Sequence, residues 1–396
     1  MTKKRIRQMN AALRRRLSGR PAADWLPDSE PLARRLEAEG YMQRFAPLFC
    51  GQRLRCADVL ALCRPELDAL CGGEPEQGWL AYTYDFARRL LYPEKDVAAP
   101  WGAGAVFFLS VLQVLFAAEE ELLPPDPAWT FQFLTEEELS GCACAASYGQ
   151  MLRCWKREYV YELMRLGLEA TPYRTLEHIA GVHHVAVTVG RALHRAGVPM
   201  DLALVSGSAA GHDIGKFGCR PGERVPYLHY YYTDQWFRRR RITDIGHVAA
   251  NHSVWDLEPD YLSVESLLLI YADFRVKQSR GPDGREITRI SSLAEAFDVI
   301  LAKLDGVDDA KRRRYLRVYA RLRDFEQYMT DRGVDVTLHG QDAPPLPEKP
   351  TALMTDDEAL HALTMQCVGH NMELMSRLTG QRSFAQLLEL ARGETN

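Results

Sequence analysis

The chain has 396 residues, of which 46% are hydrophobic and 26% are charged, and its formal net charge is −4. This length predicts two or three domains with the composition of a soluble globular protein, and the small net charge excludes a general electrostatic attraction to nucleic acid or anionic membranes. The nine cysteines include no Cys-x-x-Cys pair and form no compact secreted framework, so we expect reduced thiols in the cytoplasm.

The chain begins with a strongly basic segment. A basic amphipathic helix there could contact RNA or lipid, but a solvated terminal helix is the favoured interpretation. Nucleic acid is therefore not an expected partner. The basic start leads into further charged residues and not into an apolar stretch, so no signal peptide is predicted. The cations that precede the first acid are Lys3, Lys4, Arg5, Arg7, Arg14, Arg15, Arg16 and Arg20.

Residues 22–150 show several helical segments that are separated by Pro and Gly clusters. The most apolar stretch, 101–118, contains Ser110 and Gln113 and runs directly into Glu119. It is short against the roughly 20 residues that a membrane span requires, so it predicts a buried core helix and no membrane partner. We assign residues 1–150 to an N-terminal helical domain that could pack against a protein partner.

Helical periodicity continues through the rest of the chain, with few alternating runs typical of strands, so the predicted fold is all-α. We expect an aromatic-rich loop at 217–232, a turn at 279–287 and a Pro-rich linker at 338–350. Residues 151–335 form the predicted central domain, and 336–396 a linker with a C-terminal helical extension. The predicted helices cover residues 152–168, 175–196, 201–215, 233–252, 261–279, 291–331 and 355–393.

An adjacent His212-Asp213 pair stands in the run from Gly211 to Lys216. The pair offers an imidazole nitrogen and carboxylate oxygens from neighbouring positions, which is typical of a metal site. The apolar helix before it would carry both side chains into the interior. Because burying an unpaired carboxylate costs several kcal/mol, we expect a divalent cation beside Asp213.

Asp273 would also be a buried carboxylate that requires a compensating positive charge, because it is the only acid in the apolar run that begins at Leu267. A metal ion would compensate its charge. The alternative is a salt bridge to Arg275 or Lys277, which follow it closely.

The upstream histidine of the site can be argued from helix geometry, because residues at i, i+4, i+7 and i+11 share a face. From His178 that face carries three valines. The face of His184 carries Arg191, which belongs in solvent, and that of His183 carries His194. We therefore favour His178 as the inward-pointing residue and keep His183 as the alternative.

This arrangement of His178, His212-Asp213 and Asp273 on successive helices resembles the HD superfamily of metal-dependent phosphohydrolases, which have an all-α core. The resemblance covers roughly residues 170–280 and weakens toward 330. Locally, Glu177-His178-Ile179-Ala180-Gly181-Val182 resembles the first motif, and His212-Asp213-Ile214-Gly215-Lys216 a common form of the second. Asn251-His252-Ser253 and Ile270-Tyr271-Ala272-Asp273 are similar to the later motifs of bacterial HD hydrolases of diadenosine tetraphosphate.

The resemblance implies a first metal held by His178, His212, Asp213 and Asp273. In binuclear members of the superfamily, further histidines hold a second metal, which the Asp of the pair bridges to the first. His252 is the first choice because it ends an apolar stretch as the family histidine does, and His229 follows. His247 ranks last, because its offset of five from His252 does not share a helical face.

The chain departs from two branches of the superfamily. It lacks the Gly-Tyr-Pro motif of cyclic-di-GMP phosphodiesterases, and it has Gly215-Lys216 where the (p)ppGpp hydrolases carry acids.

Mixed His and carboxylate ligands suit one or two divalent transition-metal ions, with Fe, Mn, Zn and Co all compatible. Asp213 and Lys216 are the predicted catalytic residues. Lys216 could bind a substrate phosphate or serve as a cation at a helix C-terminus, and Arg275 and Lys277 are further candidates for phosphate binding.

The flanking segments leave alternatives open. The aromatic segment from Tyr227 to Trp236, with Trp255 near His252, could stack on a nucleobase, although packing is the more common role. The run from Arg238 to Arg241 could attract polyphosphate, although a solvated helix face is the simpler interpretation.

The sequence thus predicts a cytoplasmic metal-dependent phosphohydrolase whose substrate is a nucleotide-like phosphorylated small molecule. The alternative is a non-catalytic metal- and nucleotide-binding sensor or helical scaffold. Metal-dependent turnover that requires Asp213 separates the two hypotheses.

Overall fold

The structure is a computed structural model, and it describes residues 1–93, 99–220, 222–223, 225–252, 262–280, 286–303 and 309–338. Regular structure in these residues is helical except for one two-stranded antiparallel hairpin, which confirms the all-α prediction. The predicted linker beyond residue 338 and the predicted helices of 355–393 lie outside the described residues.

The helices and strands are numbered in chain order. They are α1 (Lys3–Leu17), α2 (Ala22–Trp25), α3 (Ser29–Ala38), a 3₁₀ helix (Tyr41–Leu48), α4 (Cys56–Cys71), α5 (Gly78–Leu91), α6 (Gly102–Leu122), α7 (Glu136–Leu139), α8 (Ala145–Arg157), α9 (Val160–Ala170), α10 (Thr175–Arg195), α11 (Leu202–Gly211), a second 3₁₀ helix (Ile214–Gly218), α12 (Val225–Arg239), α13 (Thr243–Ala250), α14 (Val264–Arg275), β1 (Val276–Arg280), β2 (Glu286–Ile290), α15 (Leu293–Lys303) and α16 (Asp309–Thr330).

The chain forms two compact units. Among the described residues, unit 1 comprises those of 1–126 and 152–176, and unit 2 comprises those of 127–151 and 177–338. The three predicted domains, 1–150, 151–335 and 336–396, were assigned by their expected roles and stay predictions.

The centre of unit 1 is α6, which packs against α1, α4 and α5. By length and composition it could cross a membrane, but 89% of its most apolar window is buried inside the protein. Apolar residues occupy all sides of this helix, which is typical of a helix at the middle of a core. This helix is therefore a buried core helix, as predicted for residues 101–118.

A buried ion pair connects α6 to α9 within unit 1. Arg165 donates to Glu119 over 2.7 Å and to the Leu54 carbonyl over 2.9 Å, and both charged side chains are almost fully buried. The guanidinium also lies 3.9 Å from the centre of the Phe116 ring. Arg53 also lies 3.4 Å from Glu119, so the buried carboxylate has two cation partners, without which its charge would be strongly destabilising.

Unit 2 is built around α10, α11 and α14. The inward face of α10 buries Val182, Val185 and Val189, the three valines that share a helical face with His178. They join a core with Leu268 of α14 and Val205 of α11. This packing presents the ends of α11 and α14 to the same side of α10.

The helix predicted over 261–279 ends at Arg275, and both ends of the turn predicted at 279–287 belong to strands, whereas its middle, 281–285, lies outside the described residues. Strand β1 pairs antiparallel with β2, with Val276 opposite Ile290. Val276 is fully buried and packs against the open side of Gly181 on α10. Val276 in β1 and three residues of β2 are β-branched and suit a pleated surface. The helical prediction was wrong at 276–279 because the contact of Val276 with Gly181 is distant in sequence.

Other boundaries also differ from the predictions. The helix predicted over 152–168 is interrupted at Tyr159, where φ is 58°, between α8 and α9. The aromatic loop predicted at 217–232 is helical from Val225, because Pro226 stands in the first turn of α12, where it costs no hydrogen bond. Arg241, with φ 57°, then separates α12 from α13.

Candidate metal centre

The His-Asp pair lies where α11 ends. Successive residues of a helix point about 100° apart, so two neighbours inside one helix cannot face the same cavity. Here α11 ends at Gly211, and Asp213 has φ −106° and ψ 9° at the start of the second 3₁₀ helix. This change of backbone direction lets the fully buried side chains of His212 and Asp213 approach one cluster of donors.

Two features lock the turn after the pair. The Thr233 hydroxyl accepts a hydrogen bond from the Gly215 N–H over 3.0 Å and donates to the His212 carbonyl over 3.1 Å. A Cβ on Gly215 would lie 1.9 Å from the His229 carbonyl oxygen, so only glycine fits. Thr233 was not predicted as part of the site, because a threonine inside an aromatic segment carries no signal of this contact.

A first set of four donors includes His178. Its Nε2 lies 3.1 Å from Asp273 Oδ1, 3.2 Å from Asp213 Oδ2 and 3.3 Å from His212 Nε2. His212 Nε2 lies 3.5 Å from Asp213 Oδ2 and 3.9 Å from Asp273 Oδ1. The structure thus brings together His178, His212, Asp213 and Asp273.

A second set of donors uses the other oxygen of the same carboxylate. Asp213 Oδ1 lies 3.5 Å from His229 Nε2 and 3.8 Å from His252 Nε2. The imidazoles of His229 and His252 lie 5.5 Å apart, centre to centre. Asp213 therefore stands between two groups of nitrogens with one oxygen toward each.

Three of the imidazoles are oriented by their own backbone. His212 Nδ1 lies 2.8 Å from the Ala209 carbonyl, and His229 Nδ1 and His252 Nδ1 each lie 2.7 Å from the carbonyl four or three residues earlier. Since a carbonyl can only accept, each Nδ1 carries the proton and each Nε2 is left as an acceptor. An Nε2 lone pair held in this way is the form in which histidine binds metals.

The donor distances fit a divalent ion. With metal–ligand bonds of about 2.0–2.2 Å, donors at about 90–110° lie about 2.8–3.6 Å apart, and wider angles extend this toward 4 Å. The separations from the His178 and His212 nitrogens to each other and to the two carboxylates, 3.1–3.9 Å, fall in this range. The donor atoms of His178, His212 and Asp273 lie within 4.8 Å of one another, and so do those of His212, Asp213 and His252. Among the described residues, the buried Asp213 Oδ2 accepts no hydrogen bond apart from its ion pair with Lys216. A buried His/Asp group that could hold metal is therefore present.

The electrostatics of the site keep its carboxylates ionised. Burial raises the pKa of Asp213, but the charges of Lys216 and His212 outweigh it and hold the pKa well below its usual range. The pKa of Asp273 is also lowered, against its burial, first by Lys277 and then by His178. Two carboxylates remain charged in a confined space, which favours a cation of high charge.

The histidines differ in how readily they take a proton. Burial lowers the pKa of His229 to about 3 and that of His252 to about 4, so both are neutral ligands at pH 7. Burial also lowers the pKa of His178, but the carboxylates of Asp213 and Asp273 outweigh it and raise the pKa above 6.5. His178 is thus the imidazole that carries the proton most readily.

Two donors of the cluster are partly exposed to solvent. His212, Asp213, His229 and His252 are buried, whereas the side chains of His178 and Asp273 are 13% and 20% exposed. Lys216, with a side chain 34% exposed, lies at this rim with Nζ 2.5 Å from Asp213 Oδ2. A ligand from solvent would therefore meet His178, Asp273 and Lys216 first.

The other two cations predicted for phosphate binding differ in position. Lys277 Nζ donates to the Asp273 carbonyl over 2.8 Å, so its charge stands beside the site. Arg275 is buried and donates to the Ser291 and Val336 carbonyls over 2.8 and 2.9 Å. These bonds connect α14 to the segments after β2 and α16, and the structure does not bring Arg275 to the donors.

The remaining histidines of the sequence analysis have other surroundings. His183 is fully buried, and its Nε2 lies 2.8 Å from the Ser206 hydroxyl, which also bonds the Tyr148 hydroxyl. It is a core histidine whose pKa burial lowers to about 3, and the structure places His178 in the cluster instead. His247 is exposed, with its ring near the Asn251 amide.

The aromatic segment is mostly packing. Tyr231, Tyr232 and Trp236 are buried. Tyr230 is the exception: its ring lies 3.9 Å from the ring of His229 and 5.2 Å from that of His252, centre to centre. The side chain of Tyr227 and all of Trp255 lie outside the described residues.

The arginine run from Arg238 to Arg241 begins in the last turn of α12, and its side chains have different surroundings. Arg238 pairs with Asp234 over 2.7 Å, and Arg240 lies over the Trp236 ring, whereas Arg239 is exposed. The run therefore does not form one uninterrupted basic face.

The described residues define an all-α protein with a buried His/Asp group that could bind a metal ion. No protein-family profile, curated protein or solved structure matches the chain. The function must therefore be argued from the site itself.

Proposed function

We propose that the chain is an HD-type metal-dependent phosphohydrolase that cleaves an ester or anhydride bond of a nucleotide-like phosphate. The observation that carries this proposal is the position of Asp213. Its Oδ2 faces His178 and His212, and its Oδ1 faces His229 and His252. A single carboxylate shared by two sets of nitrogens is suited to two ions held close together.

The donor types support transition metals. Four imidazoles and two carboxylates suit Fe, Mn, Zn or Co, and they are a poor match for the all-oxygen sites of Ca²⁺ and Mg²⁺. When bound, such ions would act as Lewis acids toward phosphoryl oxygens and would lower the pKa of water. The chain itself supplies the fixed geometry through the backbone bonds of His212, His229 and His252.

The rim residues support a phosphate substrate. Lys216 and Lys277 place two ammonium groups at the edge of a cluster that contains two ionised carboxylates. In the proposed complex the Lys216 ammonium binds a phosphate oxygen at the rim, which its partial exposure allows. The step from phosphate to nucleotide depends on the resemblance to the HD hydrolases of diadenosine tetraphosphate.

The test begins with metal content, measured by elemental analysis of protein purified without chelator. Wild type is compared with His212→Ala and Asp213→Ala, and His247→Ala serves as the matched control because His247 is an exposed histidine outside the cluster. We expect transition metal in wild type and control and its loss from the two site variants. A wild type that neither carries metal nor binds added Mn²⁺ or Fe²⁺ would overturn the proposal.

Turnover is then measured on a panel of nucleoside mono-, di- and polyphosphates, with Mn²⁺ or Fe²⁺ added. Phosphate or nucleotide release that chelator stops and Asp213→Ala abolishes supports the hydrolase. Stoichiometric metal without turnover on any member of the panel would favour a non-catalytic sensor or scaffold.

A further inference from the structure

The basic first helix is a packed part of unit 1. The apolar side of α1 buries Met9, Leu13 and Leu17, and the helix packs against α3 and α6. Its N-terminus is capped by Thr2, which accepts from the Arg5 N–H. The cations of α1 therefore project from a fixed surface, which differs from the solvated terminal helix expected from the sequence.

Part of this positive charge is neutralised by acids of unit 1. Arg5 pairs with Glu121, and Arg14 lies 3.0 Å from Glu37 and 3.5 Å from Glu30. Four other cations of the helix are exposed and form no ion pair with a described acid. They are Lys3, Lys4, Arg7 and Arg15. Lys4, Arg7 and Arg15 lie within about 80° of one another around the helix and span about 16 Å along it.

The C-terminal end of α8 adds a second group of cations. Arg16 of α1 donates to the Lys156 carbonyl over 3.3 Å, so this end of α8 lies beside the last turns of α1. Arg153, Lys156 and Arg157 have the i, i+3 and i+4 spacing that places them on one face of α8. All three are exposed, and among the described residues none has an ion-pair partner. Segments 140 residues apart in sequence thus form one positive surface.

The chemistry of this surface favours a polyanion over a lipid bilayer. A helix that binds in the membrane interface must expose an apolar face, but the apolar face of α1 is used in the core. Four of the seven unpaired cations are arginines, whose planar guanidinium binds phosphate through two parallel hydrogen bonds. Among the described residues of 3–17 and 152–157, no aromatic side chain is exposed for base stacking, so this surface suits a backbone and not a base sequence.

We infer that unit 1 binds the phosphate backbone of a nucleic acid through Lys3, Lys4, Arg7 and Arg15 of α1 together with Arg153, Lys156 and Arg157 of α8. Binding of this kind depends little on base sequence and steeply on salt, because each engaged phosphate releases counterions. Seven contacts to a duplex give a slope of about −6 in a plot of log K against log salt concentration. This surface does not depend on the proposed hydrolase activity.

The experiment measures fluorescence anisotropy of labelled RNA and of DNA with the same sequence, single-stranded and duplex, with full-length protein at several salt concentrations. The test variant is Lys4→Gln/Arg7→Gln/Arg15→Gln, and a second variant is Lys156→Gln/Arg157→Gln. The matched control is Arg195→Gln/Arg239→Gln, which removes two exposed cations of unit 2. Circular dichroism verifies that each variant is folded, as expected for exposed side chains.

We expect wild type and control to bind nucleic acid equally. The triple variant should bind at least about tenfold more weakly, with a salt slope reduced by two to three units, about 0.9 for each lost contact. Binding to either RNA or DNA supports the inference and identifies the source of the backbone. No binding at low salt, equal binding by all variants, or binding only to phosphatidylserine vesicles would overturn it.

Discussion

Removal of His229 and neutralisation of Asp213 should have different effects on metal content. Asp213 offers Oδ2 to one donor set and Oδ1 to the other, 3.2 Å from His178 and 3.5 Å from His229. Asp213→Asn keeps the shape of the side chain but removes its charge, so both sets should lose metal. His229→Ala should weaken only the second set. We expect about two metal ions per chain in wild type, about one in His229→Ala and almost none in Asp213→Asn.

The effect on stability follows from linkage. A metal that binds only the folded state at 100 times its Kd adds about 2.7 kcal/mol to the free energy of unfolding. For a unit of this size, each kcal/mol raises Tm by about 2–4 °C, so Mn²⁺ added to chelator-treated wild type should raise Tm by about 5–11 °C. Scanning calorimetry measures the shift, which Asp213→Asn should lose and the exposed control His247→Ala should keep. A folded Asp213→Asn variant with full metal content and an undiminished shift would refute the shared-carboxylate argument.

Three further outcomes follow from other parts of the structure. Burial raises the pKa of Glu162 from 4.5 to about 7. The folded state therefore binds this proton more tightly than the unfolded state, and the free energy of unfolding falls as the pH rises from about 4.5 to 7. Urea denaturation should show that Glu162→Gln raises the free energy of unfolding by up to about 3 kcal/mol at pH 8 and by little at pH 4. Gly215→Ala should lose metal and lower Tm, because the new methyl would meet the His229 carbonyl, and retention of both would contradict this packing. Arg165→Met should lower the free energy of unfolding by about 3 kcal/mol, because the buried Glu119 would keep only Arg53, 3.4 Å away, as its cation. The double variant with Glu119→Leu should recover much of that loss.

Several residues of the candidate metal centre could be predicted because their signals are local. An acid inside an apolar run, as at Asp213 and Asp273, requires a compensating charge wherever the run is buried, and the helical face of His178 indicated that it points inward. The structure places both carboxylates and this imidazole within 3.1–3.2 Å contacts. His229 and His252 were assigned by resemblance, and they lie beside the second oxygen of Asp213.

Features that depend on contacts distant in sequence could not be predicted. The bond from Thr233 to the His212 carbonyl joins two helices, and no local pattern marks it. Arg275 was predicted as a phosphate-binding residue from its position two residues after Asp273, but its guanidinium donates hydrogen bonds to the carbonyls of Ser291 and Val336. The hairpin after α14 was missed because Val276 is compatible with a helix until its packing against Gly181 is known.

The hydrogen bonds from the imidazoles to backbone carbonyls also reduce the conformational entropy that these side chains would lose when an ion binds. A free histidine side chain in a site must select one rotamer and one tautomer at the moment an ion arrives, which reduces its conformational entropy at that step. For His212, His229 and His252 this ordering takes place during folding, because each Nδ1–H is already committed to a carbonyl. Binding of a metal ion by these residues would then resemble the filling of a rigid receptor, in which differences in ion radius and preferred coordination angle would translate directly into differences in affinity. Selection among metals becomes a property of the helices that carry the ligands.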